Sequence, residues 1–213
     1  MSAPILWIGA PFVAGVLILF FFFYKYSAWV GGTLSAILAL IALVIPIDTA
    51  LLIGSVSLKI APSIQFFGRS FEFGIADGPL LAIIYGVAAL WFFGTEASGT
   101  ANRFVSLGLM IVSLLTASIA VEPFLFAALL LEIAAMLVIP LIVPVYQKPG
   151  RGVVRFLIYQ TLAMPFILFS GWMLAGVEAS PGDLGTTTQA GTMLGLGFAF
   201  LLAVFPLYNW IPM

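Results

Sequence analysis

Residues 123–145 read PFLFAALLLEIAAMLVIPLIVPV and hold a single charged side chain, Glu132. As a helix this stretch would be about 35 Å long, enough to cross the roughly 30 Å hydrocarbon core of a bilayer. Runs of the same character recur at about residues 3–24, 29–57, 79–95, 104–121 and 153–176, each apolar over the length of a membrane span. The second is too long for one straight span, and Pro46 and Asp48 mark where it bends or leaves the membrane. A seventh run, about 191–205, meets Pro206 and Pro212. The fold expected is an all-α polytopic transmembrane bundle, one domain over residues 1–213, with about six full helices and a broken seventh. The first three helices fall within 1–95. Between helices two and three, residues 59–78 are more polar, and Phe66 to Phe73 alternate aromatic and polar side chains. That period of two suits a short β-hairpin at the membrane surface.

Composition agrees. Of 213 residues 63% are hydrophobic and 7% charged, against about 25% charged in a soluble domain. The net charge is −1 and the seven basic residues are scattered, so no patch exists to engage nucleic acid. Histidine and cysteine are absent. Disulfides, thiolate or imidazole metal sites, cysteine nucleophiles and histidine triads are thereby excluded, and no cofactor site is expected. Proton chemistry falls to carboxylates, lysines, tyrosines and water. The N-terminal run has no positive leader and is long enough to span, so it reads as a retained helix.

Charge asymmetry orients the bundle. With the N-terminus outside, the inner face receives Lys25, Arg103, Lys148, Arg151 and Arg155, and the outer face only Lys59 and Arg69. Five against two favours the N-terminus outside, since basic residues are retained on the cytoplasmic side. Lys148, Arg151 and Arg155 read as headgroup anchors, with contact to an acidic partner subunit as the alternative. The chain runs out at Trp210-Ile211-Pro212-Met213 with no polar tail. A half-helix left unpaired in hydrocarbon is costly, so the expectation is a piece of a longer fold or a short subunit closed by a neighbouring chain.

Glu132 is the leading candidate for chemistry. An acid at mid-bilayer costs about 2.5–3.5 kcal/mol and normally faces protein or a wet cavity. Its helical face includes Ala128, Ala135 and Met136, and the small residues would let another helix or water come close. It reads as a proton-binding or coupling site, or else as a structural hydrogen bond between helices. If it is a transport site, polar groups from helices six to eight or another subunit should reach it. Glu122, a second candidate for proton translocation, sits beside Pro123 where helix five begins, and a helix-start acid needs no special role. Asp48 reads as interfacial structure and Asp77 as the N-cap of helix three. In Phe205-Pro206-Leu207-Tyr208-Asn209-Trp210-Ile211-Pro212 the two prolines cannot share one regular helix. Tyr208 and Asn209 could bond the freed backbone groups. Such a break either lines a buried path or ends a helix in an interfacial aromatic belt of Trp210 and Tyr208.

At these residues the sequence resembles the antiporter-like membrane subunits of respiratory complex I, the NADH-quinone oxidoreductase. It is similar too to subunits of multi-subunit cation/proton antiporters and membrane-bound hydrogenases. Three features carry the likeness. Gly68-Arg69-Ser70-Phe71-Glu72-Phe73, with Asp77 and Leu80 to Tyr85, looks like that family's hairpin and third helix. Glu132 stands where the family keeps a helix-five glutamate. The Pro206–Pro212 element looks like its broken seventh helix. The resemblance implies a proton- or sodium-translocating subunit of roughly fourteen helices with two inverted five-helix repeats, residues 104–213 being the incomplete start of one repeat. It implies other membrane subunits as partners, no redox centre in this chain, and a home in a bacterial or archaeal cytoplasmic membrane or an organelle inner membrane. The family's helix-seven lysine has no counterpart, because Leu201 stands near its place; Tyr208 replaces its histidine and Met213 its acid.

Two functions follow, with a third outside them. The first is a membrane-arm subunit of a redox-driven ion pump, with Glu132 charging and discharging as neighbouring charges change. The alternative is a structural scaffold whose ion channel has decayed, favoured by the missing lysine. The third, a stand-alone transporter or membrane enzyme, lacks polar clusters to bind a substrate.

Overall fold

The computed structural model describes residues 2–21, 26–48, 50–53, 56–98, 101–143, 150–179 and 184–204. They pack as two compact units, Met1–Ala120 and Val121–Met213. Among the described residues five helices are long and apolar enough to cross a membrane. They lie at Ser27–Val44, Ile75–Ser98, Arg103–Ala120, Phe124–Ile142 and Arg151–Gly176, and a shorter apolar helix covers Ile5–Phe21.

The first unit opens with a π-helical turn, Ile5–Gly9, that runs into α1, Ala10–Phe21. α2 (Ser27–Val44), α3 (Gly78–Ser98) and α4 (Ala101–Ala120) complete its helices. α2 lies chiefly along α3, and α1 along α4 rather than along its chain neighbour α2. These seams are narrow because small residues line them. A Cβ on Gly15 would stand 2.6 Å from the Ser106 carbonyl, and one on Gly32 would stand 2.6 Å from the Phe93 ring. Close backbone approach of this kind is how helices gain packing where apolar surface alone does not drive them together. Many large apolar side chains point outward: Leu17, Phe20, Leu40, Leu43, Leu90 and Trp91 are all exposed.

The second apolar run, expected to be helical over 29–57, stops at Val44. Ile45 precedes Pro46 and is extended (φ −107°, ψ 104°), because the proline ring disfavours helical backbone at the residue before it. Asp48 then turns at φ 64°, and the remaining residues form a hairpin, β1 (Ala50–Ile53) against β2 (Val56–Lys59). Lys59 pairs with Asp48 at 3.2 Å across its open end, both side chains about half exposed. An ion pair in that setting adds little stability.

The hairpin expected within 59–78 is present as β3 (Ser63–Phe66) and β4 (Arg69–Glu72), paired Ser63 to Glu72 and Phe66 to Arg69. Its two turn residues, Phe67 (φ 50°) and Gly68 (φ 72°), are both left-handed, the requirement of a type I′ turn that matches the strand twist. The chain start is clasped to this region, for Ala3 N–H donates to the Ala61 carbonyl at 2.8 Å. Hairpin, N-terminus, end of α2 and start of α3 thus share one end of the unit, over a core of Ile47, Ile60 and Phe73. Asp77 is not the N-cap expected. It ends a 3-10 turn, Ile75–Asp77, and its carboxylate accepts the Gly74 N–H at 2.7 Å while its own N–H returns to the Gly74 carbonyl.

In the second unit Glu122 precedes Pro123 and is exposed, outside any helix. A 3-10 turn, Phe124–Phe126, leads to α5, Ala127–Ile142. That helix ends where Val143 turns extended before Pro144. α6 spans Arg151–Ala179 and α7 Leu184–Leu201. α7 starts seven residues before the expected 191, so the Gly/Thr-rich stretch ahead of the apolar run is helical too. Thr188 and Thr192 bond back to the carbonyls of Leu184 and Thr188, which satisfies the hydroxyls inside the helix.

Candidate functional site

In the second unit Ala128 and Ala135 of α5 are buried, whereas Met136 is exposed. Ala128 packs with Ala163, Met164 and Ile167 of α6, so the small face of α5 is the one α6 approaches. Gly171 of α6 comes closer still to the chain just before α5: a Cβ there would meet the Leu125 backbone at 2.6 Å.

Against this face stands Glu132, half-buried. Its Oε1 accepts a 2.8 Å hydrogen bond from the Thr161 hydroxyl of α6. Its Oε2 is shielded from solvent and has no hydrogen-bond partner among the described residues. A carboxyl can satisfy about four lone-pair positions when ionised, and one protein donor is far short of that. Thr161 has a further peculiarity. Pro165, four residues on and inside α6, has no N–H to return to the Thr161 carbonyl. α5 carries the same feature at Pro140.

The residue before Thr161 faces another way. Gln160 is 6% exposed, and its Nε2 lies 3.5 Å from the Leu201 carbonyl at the end of α7. The ring of Tyr159 lies 6.0 Å from that of Phe200, which Phe166 also stacks upon at 5.6 Å. α7 is pressed to α6 where Gly197 meets Ile167, since a Cβ at Gly197 would stand 2.7 Å from its Cγ1. Beyond Leu201 the helix closes in a left-handed turn. Ala203 has φ 54°, and the N–H groups of Leu202, Ala203 and Val204 bond the carbonyls of Phe198, Phe200 and Ala199. This pairing is a Schellman motif. Helix seven therefore ends before Pro206, whose ring would otherwise strike the Leu202 carbonyl. The broken-helix residues Pro206, Tyr208, Asn209, Trp210 and Pro212 lie outside the described residues, as does Lys148.

Of the two carboxylates singled out from the sequence, then, only Glu132 is placed against polar side chains of a neighbouring helix. Gln160 and Thr161 were missed. Their signal was the polar triplet Tyr159-Gln160-Thr161 inside an apolar run.

The first unit has a polar centre of its own. The completely buried Trp7 sits in the π-turn and donates its indole N–H to the Leu38 carbonyl at 3.2 Å. Its own carbonyl accepts the hydroxyl of Tyr85, which has Thr116 as a second polar neighbour. The next carbonyl, Ile8, accepts Ser113 Oγ at 2.6 Å. A π-turn displaces carbonyls from the regular helical ladder, and hydroxyls from α3 and α4 meet two of them. Phe73 closes the cluster edge-on to Trp7, with ring centroids 6.4 Å apart.

Comparison of the chain with protein-family models, curated proteins and solved structures finds no match.

Proposed function

We propose that this chain is an integral membrane subunit of a redox-driven ion pump, of the kind related to NADH-quinone oxidoreductase, with Glu132 as the site that takes up and releases a proton or sodium ion. The observation that carries the reading is the half-satisfied carboxyl: Oε1 on Thr161, Oε2 buried and without a partner among the described residues. An acid in the middle of an apolar helix is costly to keep, and a purely structural one would be expected to use both oxygens. Membrane residence is supported by five helices of spanning length and by the outward-facing Leu, Phe and Trp side chains, which in water would form apolar patches far larger than a soluble monomer tolerates. Electron transfer would belong to partner subunits, and the N-terminus would lie outside. Cysteines at Ser70 and Gly150 report that orientation: an impermeant reagent on intact cells should label the first and not the second, and the reverse pattern would refute it.

The decisive experiment replaces Glu132 by Gln in the assembled complex. Shape and one hydrogen bond remain while the titratable proton is lost, so assembly should persist and ions moved per electron should fall. A second reading is a scaffold with a decayed channel. It is favoured by the lack of any cationic partner for Glu132 among the described residues of α5 to α7. Unchanged pumping stoichiometry in the Gln variant would decide for the scaffold. Co-purification of further membrane subunits in mild detergent is expected under both, whereas a lone protein would point to a stand-alone transporter.

A further inference from the structure

The Schellman turn that ends α7 engages the carbonyls of Phe198, Ala199 and Phe200 through backbone N–H groups. The next one, Leu201, receives the Gln160 amide. The terminal carbonyls of a helix need partners from outside it, so α6 supplies one. The neighbouring residue on the same turn of α6 is Thr161, whose hydroxyl holds Glu132. One turn of α6 thus touches the acid on α5 and the end of α7 at once. The two bonds are unequal. The Thr161 bond is short at 2.8 Å, whereas the Gln160 bond at 3.5 Å is at the limit for a hydrogen bond. The turn at the far side of that weak bond carries a left-handed alanine, and strained backbone persists only while its surroundings hold it.

Resting on the reading of Glu132 as the ion site, we infer that Gln160 and Thr161 act as positioning residues that couple the charge on Glu132 to the closure of the α7 end. When Glu132 is ionised, its bond from Thr161 becomes charge-assisted and tightens. Gln160 shares a peptide bond with Thr161, and its long contact to Leu201 gives way first. The amides of Leu202, Ala203 and Val204 then open more often. Few other charges face the site. The remaining titratable residues of α5, α6 and α7 are Tyr159, packed on Phe200, Arg151 and Arg155 at the start of α6, and Glu178 at its far end, 17 residues beyond Thr161 (178 minus 161). Arg155 lies six residues and about 9 Å along the axis from Thr161.

Hydrogen exchange of the intact protein in lipid nanodiscs, read on peptides covering 198–204 at low and high pH and corrected for intrinsic rates, tests this. In the wild type, exchange at 202–204 should rise about fivefold at high pH, the effect of losing one ordinary hydrogen bond. Glu132→Gln should stay slow at both pH values, and Gln160→Leu fast at both. Thr161→Val should lose the response and Thr161→Ser should keep it, which a merely structural role would not produce. Exchange at 202–204 that is the same in wild type and Glu132→Gln at both pH values overturns the coupling. If Glu132→Gln nonetheless lowers the pumping stoichiometry, the ion-site reading survives and only the coupling falls. If exchange responds but pumping does not, the reverse holds.

Discussion

The two polar centres are made of similar parts and are finished differently. Around Trp7, each hydrogen of the indole, Tyr85 and Ser113 goes to a backbone carbonyl, and Trp7 and Tyr85 are completely buried. Around Glu132 a hydroxyl meets one oxygen, and the other is shielded and unmet among the described residues. Unmade hydrogen bonds of buried polar groups are expensive; the hydroxyls of Ser2, Ser35 and Ser170 share that state among the described residues, but Glu132 is the one ionisable group among them. The first centre fixes architecture by using neutral groups to their capacity. The second leaves an ionisable group with one hydrogen-bond donor among the described residues, the arrangement that the proposed ion site would use.

If that contrast is right, truncation of the first centre costs the most stability. Trp7→Ala should destabilise the protein by about 3–5 kcal/mol, the range for emptying a buried aromatic site, in denaturant titration of the detergent-solubilised protein. Next comes Gly15→Ala, whose new methyl would meet the Ser106 carbonyl at 2.6 Å; a loss of about 1–3 kcal/mol is expected from overpacking. Its control, Gly86→Ala, has open space around it and should instead gain roughly 0.5–1 kcal/mol from helix propensity. Glu132→Leu should cost less than Trp7→Ala, about 0.6–2 kcal/mol for one interhelical hydrogen bond. A loss as large as that of Trp7→Ala would erase the distinction between the two centres. A second gain is expected at the end of α7: Ala203→Gly relieves the left-handed backbone and should add about 1 kcal/mol. No gain there would mean that α7 can end without strain.

Most of the helices were legible because apolar runs of spanning length have few other uses. The bounds 104–121 read from the sequence lie within three residues of those of α4, and 153–176 lies inside α6. The tail of the second run was misread because 50–58 are as apolar as a helix interior, and periodicity cannot separate a short apolar strand from a helix. Pro46 and Asp48 were the available warning. The start of α7 was misread for the opposite reason, since glycines and threonines look like loop until their hydroxyls find helical carbonyls. Glu132 was legible as an anomaly in its own helix. Its partner was not, because Thr161 is an unremarkable residue 29 positions away and only the α5–α6 packing brings it near. The Trp7–Tyr85 centre was equally hidden, being 78 residues apart in sequence.

The long reach of the first helix has a consequence for how the protein is made. α1 lies along α4, and Ile8 is held by Ser113, so the ribosome must add 105 further residues before that bond has a donor (113 minus 8). At the usual pace of synthesis this takes roughly 5–20 s. Throughout that interval the first helix must wait without its main neighbour. The partner of Ala3, the Ala61 carbonyl, is synthesised 52 residues before Ser113 (113 minus 61), so the clasp to the hairpin end can form while the fourth helix is still being translated.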